Sequence, residues 1–256
     1  MVDHFVLMSK MSRLGLPNFL IRWLTNFLTG RKMRTKLGTV ESPWASVNAG
    51  VPQGTLLGPV CFIFHINDLQ TSAHMVKYVD DSTLWSVGSS GVDDLLQRSA
   101  QEAETWATDT LMSLNSDKTK DMVVCFMRKR PPVPAITLGG CEIERVSQIK
   151  LLGVIIADDL KWQGHVNYVA GKGSSRLYFL RMLRRAGVDP KDIVAIYVAL
   201  IRSVLEYACQ VWHTALTVQQ SDQLEQVQRS ALRVAYPHHS YREALQITRL
   251  DTLHDR

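Results

Sequence analysis

Apolar residues recur along this chain with two different periods, and the balance between them changes near residue 160. Leu16, Leu20, Trp23, Leu24 and Phe27 form one stripe at helical spacing, which predicts an amphipathic helix over Leu14–Leu28. Gly30 and the basic run Arg31–Lys36 mark its end. Residues 35–48 read as extended, with Pro43 as a breaker, and a Gly/Pro-rich loop over 48–59 runs into the apolar segment 60–66. Residues 74–87 predict two short strands around Val79-Asp80-Asp81. A long helix over 92–114 carries Leu95, Leu96, Ala103, Trp106 and Leu111 on one side. Strands over Asp121–Phe126 and Ile149–Ile156 flank a hairpin, Ile136–Ile143, that turns on Gly139-Gly140. Beyond residue 160 only the helical period remains, with helices near 164–186, 190–212, 219–235 and 240–247. Pro190 stands near one helix start and Pro237 just past a helix end. The pattern predicts an α+β chain, with a mixed region over 1–160 and a helical bundle over 161–256. Repeats are absent, and the only biased tract is the small linker Arg128–Pro132.

Composition narrows the class. A chain of 256 residues with 46% apolar and 21% charged residues can bury a core without staples, which excludes disorder and a disulfide scaffold. The net charge of +5 is unevenly spread: residues 1–160 hold 16 basic and 16 acidic side chains, and residues 161–256 hold 13 and 8. The helical part therefore carries the surplus, which suits a polyanionic partner. Cys61, Cys125, Cys141 and Cys209 show no C-x-x-C pair and no zinc spacing. They read as buried free thiols of a reducing compartment, with no disulfide partner. The N-terminus, with Asp3 and His4, lacks a signal-peptide core, and Pro59–Ile66 is too short to span a bilayer. Ile193–Trp212 contains Arg202 and Glu206 and reads as a buried helix of a soluble protein. The expected location is intracellular, nuclear or cytoplasmic, without membrane insertion.

Four constellations could carry chemistry. Tyr78-Val79-Asp80-Asp81 places two carboxylates side by side. Neighbouring strand residues point to opposite faces, so the pair reaches one metal only where the chain turns. Crowded carboxylates repel unless a divalent cation lies between them, and hard oxygen donors suit Mg²⁺. Asp93-Asp94 and Asp158-Asp159 repeat the dipeptide, so a solvated turn stays open as the alternative; apolar flanks (Val76, Tyr78, Val79, Leu84, Trp85) set Asp80-Asp81 apart as the tip of a core hairpin. The loop Gly50–Pro59 offers Gln53 and Gly54 for close approach to a ligand, or serves as a structural lead-in to a helix. Lys118, in Leu114-Asn-Ser-Asp-Lys-Thr-Lys120, can reach a neighbouring phosphate or stay solvated. At about 100° per residue, Arg176, Arg181, Arg184 and Arg185 cover one half of a helix, opposite Phe179, Met182 and Leu183. That basic half suits a phosphate backbone or an ordinary solvated face. The histidines lack ligand spacing and read as loop or core residues.

Taken in order, Ala49-Gly-Val-Pro-Gln-Gly54, Leu57-Gly-Pro59, Ile66-Asn-Asp-Leu69, Tyr78-Val-Asp-Asp81, Leu114–Lys120 and Leu151-Leu-Gly-Val154 resemble the reverse transcriptases of non-LTR (LINE-type) retrotransposons. Leu205-Glu-Tyr-Ala208, Val211-Trp-His213 and Arg229-Ser-Ala-Leu-Arg233 look like the region that follows the polymerase in such elements. The resemblance implies a right-hand polymerase palm, an antiparallel sheet with packed helices and a hairpin-borne Asp-Asp, followed by a helical thumb-like bundle. It implies an RNA-directed DNA polymerase acting on an RNA template, a DNA primer and dNTPs. Asp80 and Asp81 would then bind Mg²⁺, and Lys118 would approach the triphosphate as a third catalytic residue. Gln53 and Gly54 would line the nucleotide pocket, and Leu152 and Gly153 would lie in the strand pair gripping the primer end. Arg176, Arg181, Arg184 and Arg185 would follow the nucleic-acid backbone. The family commonly has Phe or Ala where Tyr78-Val79 stand. Its third catalytic carboxylate lies just upstream of the stretch resembling Val2-Asp3-His4, and Asp3 matches the helix lead-in that follows it instead. The chain as written thus reads as N-terminally truncated, without fingers, first catalytic strand or endonuclease. The expectation is that it does not polymerise alone; the alternative is a non-catalytic remnant that binds nucleic-acid backbone through its basic helices.

Overall fold

The computed structural model describes residues 2–88, 94–128 and 132–255. They fall into two compact units, Met1–Asp121 with Lys129–Arg145, and Met122–Arg128 with Val146–Arg256. The main divide thus lies at 145/146, earlier than the change of period at 160. The reason is packing: Val154 and Ile156 belong to the apolar core of the helices that follow them.

In the first unit, α1 (His4–Arg13) starts at Asp3, whose carboxylate accepts the Val6 N–H at 3.0 Å. Asp3 is therefore a helix cap, in keeping with its lead-in pattern. α2 (Asn18–Leu28) follows Pro17. Its buried seam is Leu24 and Leu28, packed with Leu7, Met11 and Cys61. Leu20 and Trp23, on the stripe that periodicity predicts, are exposed, and Trp23 stacks along Phe27 instead. A single seam suffices because α1 and the helix after the loop cover one narrow face. β1 (Arg31–Met33) pairs with β4 (Ala45–Val47), and β2 (Lys36–Leu37) with β3 (Val40–Glu41), as nested antiparallel ribbons.

α3 (Leu57–Ile66), β5 (His74–Tyr78), β6 (Asp81–Trp85) and α4 (Leu95–Asp109) follow. Ile66, Leu69 and Ala103 bury together against Met75 and Trp106, so the β5–β6 hairpin rests on both helices. α4 is shorter than the periodicity over 92–114 suggests, since Leu111 turns left-handed (φ 56°) and is exposed. β7 (Lys120–Asp121) pairs in parallel with β10 (Glu144–Arg145), while β8 (Thr137–Leu138) and β9 (Cys141–Glu142) form the Gly139-Gly140 hairpin. The strand expected over 121–126 shrinks to β7 because Met122–Arg128 joins the other unit. Asp93, and residues 129–131 of the basic linker, lie outside the described residues. Among the described residues the strands pair two by two rather than in the one antiparallel sheet expected.

In the second unit the expected strand over 149–156 is a hairpin, β11 (Gln148–Leu151) and β12 (Val154–Ala157). α5 (Gln163–Arg185) and α6 (Pro190–Tyr197) follow, the latter capped by Asp189 accepting from the Lys191 N–H. Next come a π-helical turn (Val198–Arg202), α7 (Ser203–Leu205) and α8 (Cys209–Trp212). The helix expected over 190–212 is thus interrupted, with Ala208 left-handed at φ 53°. α9 (Val218–Ala235) and α10 (Tyr241–Thr248) each begin with a capping box, Thr217/Gln220 and Ser240/Glu243. Trp212, Tyr197, Leu180, Ile193, Ile201 and Leu205 fill the core. A Cβ on Gly173 would lie 3.0 Å from Val227 and 3.1 Å from Leu205, so the bare backbone lets α5 approach α9.

Among the described residues no helix is long and apolar enough to cross a membrane. The four cysteines are free, but only Cys61 is buried and Cys141 is exposed, so the expectation of buried free thiols holds for Cys61 alone.

Candidate active site

The Asp-Asp pair sits where the chain turns. Tyr78 pairs with Asp81, leaving Val79-Asp80 as a two-residue turn between β5 and β6. Val79 holds φ 55°, a costly region for a β-branched residue, and the five paired positions of the hairpin keep it there. The turn removes the strand alternation that would send neighbouring carboxylates to opposite faces. Asp80 and Asp81 are both solvent-exposed. The flanks differ from expectation: Val76, Tyr78, Val79 and Trp85 are exposed, and the inward residues of β5 are Met75 and Lys77. Among the described residues the covered face of the hairpin packs against α3 and α4.

Lys77 explains how the hairpin is anchored. Its Nζ donates to the carbonyls of Ile66, Asn67 and Leu69 at 3.0, 3.1 and 2.9 Å, closing the C-terminal end of α3. Burial pulls its ammonium below the usual lysine range, against the opposing charge of Asp68. Asp68, from the Ile66–Leu69 motif, accepts from Lys10 Nζ at 2.6 Å and from Trp106 Nε1 at 2.9 Å. Partial burial alone would raise its carboxyl; the two hydrogen bonds and the Lys10 charge outweigh that and hold it below the usual range. Lys10 also donates to the His65 carbonyl at 2.7 Å and rests over the Trp106 ring. The sequence motif does not point to Lys10 or Lys77; the signal each carries is an isolated lysine in an apolar helix or strand pattern.

The loop holding Gln53 and Gly54 is tight. Thr55 Oγ1 donates to the Pro52 carbonyl at 3.0 Å and accepts the Gly58 N–H at 3.1 Å. Gln53 and Gly54 are exposed, with Gly54 at φ 76°. Lys118 is exposed in an Asn-led turn, its N–H donating to Asn115 Oδ1 at 3.1 Å. Gln53, Gly54, Asp80, Asp81 and Lys118 share the first unit, and no hydrogen bond or ion pair joins them among the described residues.

Leu152 and Gly153 belong to the second unit. They form the turn of the β11–β12 hairpin, at φ 46° and 90°. Tyr207 Oη donates to the Leu152 carbonyl at 2.8 Å. In α5, Arg181, Arg184 and Arg185 are exposed, while Arg176 is half-buried and donates to the Leu200 carbonyl. The wheel is rotated from the expected one: Val169, Gly173, Leu177 and Leu180 face the core, and Phe179 and Met182 face solvent beside Tyr178. The small residues Ala170 and Gly173, which a count of large apolar positions overlooks, decide the packed face.

Asp80 and Asp81 supply two hard oxygen donors at an open tip, the donor type Mg²⁺ takes alongside water and phosphate oxygens. Among the described residues no set of three His, Cys, Asp or Glu is grouped to hold a metal.

Comparison with known proteins bears on these motifs. Residues 1–156 match the family described as "Reverse transcriptase (RNA-dependent DNA polymerase)". The chain is 24% identical over 207 residues to "Probable RNA-directed DNA polymerase from transposon X-element" of Drosophila melanogaster, covering 75% of this chain and 22% of that protein. It is 26% identical over 230 residues to "RNA-directed DNA polymerase from mobile element jockey" of Drosophila funebris, covering 84% and 25%. It is 27% identical over 212 residues to "Retrovirus-related Pol polyprotein from type-1 retrotransposable element R1" of Bradysia coprophila, covering 76% and 20%. The chain thus spans about a quarter or less of the length of these relatives. No solved structure matches it.

Proposed function

The chain belongs to the reverse transcriptase family, and from that premise we propose that it carries the dicarboxylate palm hairpin and thumb-like helices of a retrotransposon's RNA-directed DNA polymerase. The observation that carries this reading is the placement of Asp80 in the two-residue turn of a strained hairpin, with Asp81 next to it as the first residue of β6. Asp80 and Asp81 would hold Mg²⁺, which when bound activates the primer hydroxyl and neutralises the triphosphate. Gln53 and Gly54 would border the incoming dNTP, and Lys118 would neutralise its phosphates. Leu152 and Gly153 would face the primer end. Arg181, Arg184 and Arg185 would contact the template–primer backbone, with Arg176 tied to the Leu200 carbonyl at the edge of that face.

A second reading has a specific support. Asp80 and Asp81 have no third metal-ligating side chain grouped with them among the described residues, whereas two-metal transfer uses more donors. On that reading the chain binds nucleic-acid backbone without polymerising.

Primer extension on an RNA template with Mg²⁺ and dNTPs, together with a salt titration of RNA–DNA duplex binding, separates the two. Extension that Asp80→Asn abolishes establishes the polymerase reading. Salt-sensitive binding without extension selects the second. A chain that neither extends nor binds at low salt refutes both.

A further inference from the structure

Tyr207 is more than half exposed, at 53%, yet its position is fixed from several sides. Its hydroxyl donates to the Leu152 carbonyl at 2.8 Å. Its ring lies where a Cβ on Gly153 would meet Cε1 at 3.0 Å, so the ring packs on the bare turn. Its own carbonyl accepts from Trp212 Nε1 at 3.1 Å, and Trp212 is fully buried. Trp212 meets the His165 ring edge-on at 5.1 Å. His165 Nδ1 in turn accepts the Ile155 N–H of β12 at 3.3 Å. The circuit is closed: it leaves the hairpin at its turn, passes through the helical core and returns at its second strand.

The turn needs such support. Leu152 is a γ-branched residue held at φ 46°, a region that side chains other than Gly, Asn and Asp rarely adopt. A residue held there persists where its surroundings over-determine it. An exposed tyrosine gains little from burial, so its placement is decided by the one hydrogen bond its hydroxyl makes and by the ring's contact with Gly153. α7 ends at Leu205 and Ala208, left-handed at φ 53°, leads into α8, so residue 207 sits at the break between two helices.

Resting on the reading that the Leu152–Gly153 turn faces the primer end, we propose that Tyr207 is a positioning residue for that turn. It holds the tip in the conformation that meets a recessed 3′ end, and Trp212 and His165 hold Tyr207 and β12 in register with it. The partner chemistry is a primer terminus on a template strand; the duplex backbone beyond it is met elsewhere.

The test compares the full chain with Tyr207→Phe and Tyr207→Ala on two probes, an RNA template with a recessed DNA primer and a blunt RNA–DNA duplex of equal length. Wild type is expected to bind the recessed probe more tightly. Tyr207→Phe is expected to lose about 2- to 10-fold of that preference, the range of one hydrogen bond, with blunt-duplex affinity and thermal midpoint unchanged. Tyr207→Ala is expected to abolish the preference. Amide hydrogen exchange at Gly153 and Val154 is expected to quicken in both variants. A merely structural role would lower both affinities together, and that result overturns the proposal, as does Tyr207→Phe retaining the full preference. Wild type without any preference also overturns it; if exchange at the turn still quickens in Tyr207→Phe, the fault lies in the primer-end reading and the contact itself stands.

Discussion

The Lys10 ammonium lies 2.6 Å from Asp68 Oδ1, but the two partners are unequally buried, with side-chain exposures of 7% and 48%. The inequality decides what each substitution does. Asp68→Ala leaves a buried ammonium with only the His65 carbonyl and the Trp106 face for partners. Lys10→Met fills a similar volume and leaves Asp68 half in water, still accepting from Trp106. Asp68→Ala is expected to cost about 2 kcal/mol, below the range for a fully buried pair, and Lys10→Met about 1 kcal/mol. Urea unfolding of both variants checks the order; equal losses would contradict the role given to burial.

His65 is fully buried with neither ring nitrogen hydrogen-bonded. Burial first, and the neighbouring Lys10 charge second, push its pKa down to about 4 from 6.5, with Asp68 opposing. The folded state therefore binds this proton less readily than the unfolded chain. The stability His65 permits is full above about pH 6.5 and is lost as pH falls toward about 4, on the order of 3 kcal/mol. His65→Phe keeps the edge-on contact with Trp106 and cannot be protonated. Its unfolding free energy is expected to fall less steeply between pH 7 and 4 than that of wild type. His165, also lowered by burial, is present in both proteins and cancels from the comparison.

The loop beside Gln53 gives a contrast between two glycines. A Cβ on Gly58 would sit 2.3 Å from the Pro52 carbonyl oxygen, a backbone atom that can yield only if the loop opens. A Cβ on Gly54 meets nothing within 4 Å, and only its φ of +76° resists a side chain. Gly58→Ala is expected to cost about 2–3 kcal/mol and Gly54→Ala about 1 kcal/mol. Thermal midpoints of the two variants decide between them; a larger loss at Gly54 would mean that backbone conformation, not contact, sets this loop.

These cases show where the sequence was informative. Gly139-Gly140 and Val79-Asp80 were legible as turns because the apolar alternation on both sides fixes a strand register and leaves two residues over. Pro190 marked a helix start by local chemistry alone. The failures are tertiary. Trp23, Phe179 and Met182 look like core residues at helical spacing, yet the core sits on Leu24, Leu28, Gly173 and Leu177 because the partner helices approach there. The break at Ala208 has no Gly or Pro to announce it; the Tyr207 contact with a hairpin more than fifty residues earlier compensates a conformation that local propensity disfavours. Asp80 and Asp81 were found as a motif, while Lys77, which ties their hairpin to α3, is one lysine in a strand and carries no pattern.

The last contact of this kind holds the C-terminal segment. Glu225 is 2% exposed; its carboxylate accepts the Tyr241 hydroxyl and, at 2.7 Å, the Leu253 N–H. Burial first, then the Glu225 carboxylate, raise the Tyr241 pKa, so the phenol stays a donor. Gln228, fully buried beside it, donates to Tyr241 Oη at 2.9 Å and to the Asp251 carbonyl at 3.1 Å. Glu225→Ala leaves the Tyr241 and Leu253 donors without their acceptor and is expected to cost about 3 kcal/mol. Glu225→Gln keeps one acceptor oxygen but turns an amide N–H₂ toward a hydroxyl that already accepts from Gln228, so a loss of about 1–2 kcal/mol is expected. Because Leu253 packs in the helical core through this network, both variants are expected to speed trypsin cleavage after Arg249, with Glu225→Ala the faster. Cleavage at the wild-type rate in Glu225→Ala would show that apolar packing of Leu253 alone holds the segment.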